Sequence, residues 1–360
     1  LYPNPAVTGA AVAAITKRVG IRAGSVVLPL HHPARVAEQW SVVDNISNGR
    51  VGISVAAGWQ PNDFVFMPDN YKTAKSVMMR DLEIVKRLWR GETVEFQGPL
   101  GPVPVRTMPD PVQKELPVWI TTAGNLETFE AAGAAGANLL THLLGQSLEK
   151  LAPKIAAYRK ARAAAGHDPN TGIVSLMLHT FVGADREAVK EAVRGPMKAY
   201  LGTAMDLIKD KAWTFPAFQR PKNFKADEPG ADLASLSDED REALLDAAFE
   251  RYFEESGLFG TVEDAMSMVE AVKEIGVDDI ACLIDFGVPT DMVLEHLPYL
   301  NAVRLRELEE RKQANAPAPA IAAAPSAEAS HASNPALRVT GYGASAFANY
   351  YGRRLPTEME

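Results

Sequence analysis

Short, β-branched apolar runs alternate along this chain with longer segments in which apolar residues recur every three or four positions. Residues 19–66 show the pattern most plainly. The run 21–28 is apolar and closed by Pro29 and Pro33, and the run 51–57 follows Gly49-Arg50 and stops at Gly58. Between them Val36, Trp40, Val43 and Ser47 share one helical face. Asn48-Gly49 then supplies a helix stop. Two buried strands joined by a helix are most simply parallel, so the stretch predicts a βαβ unit.

The same alternation continues. A small-residue helix over 6–17 precedes the unit, so the chain opens helix first. A polar loop over 60–70 leads to a helix over 73–90, with Met78, Leu82, Val85 and Trp89 on one face and Gly91 as its stop. Residues 92–115 are rich in Pro and Gly and predict a short hairpin. Strand 117–122 runs through Ala123-Gly124-Asn125 into a small-residue helix that ends near Ala135, and strand 137–142 follows. Leu148, Leu151, Ile155, Tyr158 and Arg162 mark the next helix, before strand 173–182 and helix 185–201. No strand is predicted between 202 and 260. A helix there starts near Asp238, with Ser237 and Asp240 spaced as a capping box. Thr261 and Asp264 repeat that spacing ahead of a helix to 275, strand 279–286 and a closing helix over 292–311.

Six strands, each followed by helix and each apolar enough to be covered on both faces, allow a doubly wound sheet or a (β/α)8 barrel. No G-x-G-x-x-G follows any strand, which weakens the dinucleotide-binding alternative. Gly133 and Gly136 read as helix-packing and helix-end positions instead. A TIM barrel fits better and needs two further strands; the helix-first opening places them upstream of Leu1. The barrel domain is expected over 1–311, with a helical insertion at about 202–260. Residues 312–336 are mostly Ala, Pro and Ser and read as a flexible linker, while 337–360 read as disordered or as the start of a further segment.

Composition narrows the function. The 360 residues are 47% hydrophobic, enough for a sizeable core, and carry a net charge of −8 with no basic stripe. That balance argues against nucleic acid or an anionic membrane as partner. The single cysteine, Cys282, sits in the last apolar run and reads as core. There is neither a Cys/His zinc spacing nor a signal-peptide pattern, so a cytoplasmic location is expected and no metal is predicted.

In a barrel, reactive groups gather at the carboxyl ends of the strands. No strand here ends in Lys, which removes Schiff-base chemistry. His31 and His32 are adjacent, and neighbours in extended chain point to opposite sides, so one metal shared between them is disfavoured. His142 and His179, each taken alone, read as satisfied core histidines. The turn 121–125, Thr-Thr-Ala-Gly-Asn, enters a helix N-terminus and suits an anion such as phosphate. It also reads as a plain turn with Asn125 as N-cap. Both readings stay open on composition.

The stretch VVLPLHHPARVAEQWSVVDNISNGRVGISVAAGWQPNDF resembles the flavin-dependent luciferase-like monooxygenases. The matching features are Val26 to Pro29, the His32-Pro33 turn, the D-x-x-S-x-G-R run from Asp44 to Arg50, and Gly58-Trp59 with Asp63-Phe64. PVWITTAGNLETFEAAGAAGAN, residues 117–138, is similar to the family's fifth strand and phosphate-binding turn. The resemblance spans roughly residues 1–308 and is closest to the subgroup associated with nonribosomal peptide and polyketide assembly lines. It implies a luciferase-type (β/α)8 barrel, lacking its first two strands here, that binds reduced FMN delivered by a separate reductase. Oxygenation of a small-molecule or carrier-bound acyl or peptidyl substrate would follow, the barrel keeping the flavin dry. Neighbouring megasynthase domains are further implied partners. A deazaflavin in place of FMN, or a catalytically silent docking fragment, are the alternatives.

Carried over by position, Gly24-Ser25 falls where the family often has a non-proline cis peptide beneath the flavin. Ala57 and Trp59 would line the flavin pocket. Thr122, Ala123, Gly124, Asn125 and Thr128 would hold the phosphate. Two departures stand out. The family's phosphate-pairing arginine at the end of the fourth strand is replaced by Ala57, and the family's active-site histidine would lie upstream of Leu1. No catalytic residue is therefore assigned from the resemblance.

Overall fold

A computed structural model describes residues 4–207, 238–314 and 336–339. In chain order it runs α1 (Pro5–Ile15), β1 (Ile21–Val27), α2 (Pro33–Ser47), β2 (Val51–Ala56), α3 (Ala74–Trp89), β3 (Val94–Gly98), β4 (Gly101–Val105), β5 (Val118–Thr121), α4 (Leu126–Ala134) and β6 (Asn138–His142). It continues with α5 (Leu148–Ala164), β7 (Val174–Val182), α6 (Arg186–Leu207), α7 (Asp238–Glu255), β8 (Leu258–Gly260), α8 (Val262–Glu274), β9 (Asp279–Leu283), α9 (Thr290–Ala314) and β10 (Ala336–Val339).

Eight strands form one parallel sheet in the order β1-β2-β5-β6-β7-β9-β10, with β8 added beside the upper part of β7. The βαβ unit is present as expected, with Ile21 opposite Val51 and Val27 opposite Ala56. Asn48 takes the left-handed conformation that ends α2, φ 56°. β3 and β4 are the expected hairpin. The architecture is the α/β, TIM-barrel type of curled parallel sheet, with its two ends at β1 and β10.

Two strands correct the sequence reading. β8 lies in the region where none was predicted. Its three residues carry no period of their own, and only pairing of Thr180, Phe181 and Val182 with Leu258, Phe259 and Gly260 makes them a strand. β10 takes residues expected to be a frayed end and pairs them with Asp279–Cys282 of β9. The closing helix also runs on to Ala314, into the segment read as linker. The Ser237 cap, the rest of that linker and the chain beyond 339 lie outside the described residues.

The sheet's convex face is the core. Ile53, Val55, Val118, Ile120, Leu139, Val174, Leu176, Ile280 and Cys282 pack there beneath the helices. Alternation then turns Ser54, Trp119, Thr121 and Ser175 toward the concave face. Near the amino end of the sheet the Arg22 guanidinium lies 4.1 Å from the Trp119 ring centroid, Trp119 Nε1 donates to Ser175 Oγ at 3.0 Å, and Arg22 Nη1 reaches Asp279 Oδ2 at 3.4 Å. These contacts floor the concave face at that end. Asp44, fully buried, explains its place in the D-x-x-S-x-G-R run. It accepts from the Gln113 backbone N–H at 2.9 Å and from Gln113 Nε2 at 2.8 Å, and so fastens the segment after the hairpin under α2.

Candidate active site

The carboxyl ends of β1, β2, β5 and β6 bring together most of the residues singled out above. The Gly24–Ser25 peptide is cis, and the β1–β2 register shifts between Ala23 and Val26 around it. Ser25 Oγ hydrogen-bonds Thr121 Oγ1, which also hydrogen-bonds Ser54 Oγ. A trio of hydroxyls from three strands thus lies on the concave face. Ser54 escapes sequence reasoning because its β2 neighbours read as one unbroken apolar run.

After β2, Ala57 packs partly against the core, and Gly58 holds φ 81°. Only glycine fits at 58, since a Cβ there would meet Val27 Cγ1 at 2.7 Å. Trp59, expected to line a pocket, is 59% exposed, and Val65, Phe66 and Tyr71 of the following loop are exposed with it. Asn70 Nδ2 ties that loop to the Pro29 carbonyl at 2.8 Å.

The turn after β5 has the N-cap that one of its two readings expects. Thr122 is buried and bonds back into the sheet through its N–H to the Leu140 carbonyl, 3.0 Å. Asn125 is the N-cap of α4, its Oδ1 accepting from the Thr128 N–H at 3.2 Å. Gly124 and Asn125 are exposed, and a Cβ on Gly124 would meet nothing within 4 Å. The amides of Leu126 and Glu127 open the helix, where no intrahelical partner exists.

Lys154, from α5, is the residue that sequence reasoning missed. Its Nζ lies 3.4 Å from the Ala123 carbonyl and 2.6 Å from Gln146 Oε1, and among the described residues no carboxylate pairs with it. Burial and the neighbouring Lys150 push its pKa down from the ordinary lysine value. A half-buried cation beside free amides is what a phosphate dianion requires. In the sequence Lys154 is one polar position among several on an amphipathic helix, and Ala123 lies 31 residues away.

Gln146 carries the arrangement into β6. It is 1% exposed, and its Nε2 donates to Thr141 Oγ1 at 3.1 Å and to the His142 carbonyl at 2.9 Å. His142 Nδ1 accepts from the Leu144 N–H at 3.2 Å, and burial lowers its pKa to about 4. His179, on β7, is buried with Nδ1 2.8 Å from the Tyr252 hydroxyl, and the rings of Tyr200, Tyr252 and Phe286 surround it. Burial, with His142 nearby, lowers its pKa to about 3. The adjacent pair, His31 and His32, lies elsewhere. His32 caps α2, its Nδ1 accepting from the Ala34 N–H, and its ring lies 4.8 Å from that of Phe96, tilted at 44°, while His31 is half-buried in the turn after β1. Among the described residues no three His, Cys, Asp or Glu gather as a metal site, and no helix is long and apolar enough to cross a membrane.

The family model described as luciferase-like monooxygenase matches residues 1–279. The oxygenase component of a flavin-dependent trigonelline monooxygenase from Acinetobacter baylyi is 27% identical over 301 residues, which are 80% of this chain and 76% of that one. Other curated relatives are matched over about half to three fifths of their length. Among solved structures, the oxygenating constituent of 3,6-diketocamphane monooxygenase from Pseudomonas putida, in complex with FMN, superposes with a TM-score of 0.61 at 17% identity, covering 83% of this chain and 82% of that one. An F420-dependent secondary alcohol dehydrogenase superposes at 0.58 with 19% identity, covering 84% of each chain. At these identities the two structures speak for the fold alone.

Proposed function

This chain belongs to the luciferase-like monooxygenase family, and from that membership we propose that it is the oxygenase component of an FMN-dependent monooxygenase, served by a separate flavin reductase. The observation that carries the cofactor assignment is Lys154 at the turn after β5, a cation with no carboxylate partner among the described residues, at the Ala123 carbonyl just ahead of the first turn of α4. It fills the charge requirement left open by Ala57 at the end of β2. Thr122 and Thr128 add hydroxyls to the same turn. When bound, the reduced flavin would supply the electrons that activate oxygen for transfer to substrate.

The chain's own groups do the rest. Lys154 and the α4 amides hold the phosphate, and Gln146 keeps Lys154 in place. Ser25, Thr121 and Ser54 offer hydroxyls to the polar edge of a ring on the concave face. Ala57 would line that ring. Trp59 and the exposed Val65, Phe66 and Tyr71 of the following loop stand at the rim, where a bound substrate would cover them and help exclude water. A carrier-bound acyl or peptidyl substrate, and neighbouring assembly-line domains as partners, remain part of the proposal. The exposed apolar rim supports a substrate larger than a free small molecule.

Titration with FMN tests the reading. The wild-type chain should bind it with a shifted absorbance band, and Lys154→Met should weaken binding by about 10- to 100-fold, the range for a charge-assisted contact. Equal affinity in the variant would sink the phosphate assignment. Retention of a deazaflavin in preference to FMN would move the chain to the deazaflavin alternative.

A further inference from the structure

His142 has a defined proton. Its Nδ1 accepts a hydrogen bond from the Leu144 N–H, so in a neutral ring the proton must sit on Nε2. Its position on β6 also fixes its side of the sheet. Leu140, two residues earlier, faces the concave side, where its side chain lies 3.6 Å from where a Cβ on Gly24 would be. Residues two apart on a strand share a face, so His142 projects the same way, toward the ligand side. It is half-buried and not sealed in, unlike His179 on the next strand. The backbone that carries it is joined to the phosphate turn by a continuous chain of contacts: His142 carbonyl to Gln146, Gln146 to Lys154, Lys154 to the Ala123 carbonyl.

We propose that His142 donates, through Nε2–H, a hydrogen bond that orients the acceptor edge of the flavin ring over the concave face. The inference rests on the flavin reading above and adds a positioning residue to it. A ligand anchored by its phosphate after β5 crosses the concave face toward Gly24, where Leu140 of β6 closes in from the other side, and His142 follows Leu140 on the same face of that strand. A flavin ring carries carbonyl oxygens and ring nitrogens that accept such a bond. A neutral imidazole supplies a donor without bringing a charge into a dry site, the role in which a histidine acts as an electrophile and not as a base. The titratable group near it is His179 from β7, itself buried and neutral. Burial is what holds the His142 ring neutral.

Long-range nitrogen–proton NMR on the full chain, labelled at histidine nitrogen, reads the tautomer and the contact directly. The free protein should show His142 as the Nε2–H tautomer, neutral and unchanged between about pH 5.5 and 8, and its Nε2 resonance should move when FMN is added. In parallel titrations His142→Phe should weaken FMN binding about tenfold, a neutral hydrogen bond's worth, and His142→Gln, which keeps an N–H donor, should recover most of it. An Nδ1–H tautomer overturns the proposal. So does an Nε2 resonance that stays still at saturating FMN, or a Phe variant that binds as the wild type does. Binding of FMN with a silent His142 overturns this proposal alone. No binding of FMN by the wild-type chain removes the flavin reading, and this proposal with it.

Discussion

Gly133→Ala should destabilise the protein by about 3 kcal/mol, although alanine is the better helix former by about 1 kcal/mol. A Cβ at 133 would stand 2.3 Å from the Tyr158 carbonyl oxygen and 2.9 Å from the Arg162 amide nitrogen, both backbone atoms of α5. Neither can swing aside as a side-chain tip would. Tyr158 is fully buried, with its hydroxyl donating to the Ala137 carbonyl at 2.8 Å, so α5 has no room to retreat. The cost is therefore separation of α4 from α5, and α4 is the helix whose first turn is proposed to hold the phosphate. Urea unfolding of Gly133→Ala beside Gly124→Ala decides the matter, because the second glycine faces open space. Equal unfolding midpoints for the two variants would refute the close-packing account.

Acid should unfold the protein steeply well above the range in which carboxylates titrate. His142 and His179 protonate near 6.5 in an unfolded chain, and burial lowers them to about 4 and about 3 in the folded one. Between those values the unfolded chain binds about two more protons, so stability rises with pH there. The stability these rings contribute is complete above pH 6.5 and falls as pH drops toward 4, at about 2.7 kcal/mol per pH unit for two protons. Unfolding free energies measured at intervals from pH 7.5 to 4.5 should trace that slope, and His142→Gln should reduce it by about one proton. A flat profile down to pH 5 would mean that both rings already carry their protons in the fold.

The sheet was legible because its evidence is local. Runs such as 51–57 and 173–182 are buried on both faces, and a strand buried on both faces spells itself as continuous apolar sequence. β8 and β10 have no such spelling. Leu258–Gly260 is too short for a period, and Ala336–Val339 gains its identity only by lying beside β9. The site divides in the same way. The turn around Gly124 and Asn125 announced itself because a helix cap and an anion site use the same residue types. Lys154, Gln146 and Ser54 did not, since each acquires its role from contacts across the fold. The reading of His142 as a satisfied core histidine holds for Nδ1, which has its partner; the role proposed for Nε2 is a different one.

Arg50 closes the D-x-x-S-x-G-R run, and its guanidinium touches three pieces of chain. It donates to the carbonyls of Ala13 and Thr16 at the end of α1, to Thr16 Oγ1, to the Val19 carbonyl in the following turn, and through Nε to the Ser47 carbonyl at the end of α2. One cation thus terminates two helices whose last carbonyls lack partners of their own. The result bears on cooperativity. A helix as small-residued as α1 would ordinarily open ahead of the rest and leave its amides to exchange with solvent at little cost. Held by the same side chain that ends α2, it opens only when the βαβ unit gives up that side chain. Hydrogen-exchange protection should therefore enter the chain at α1 and not at the first strand.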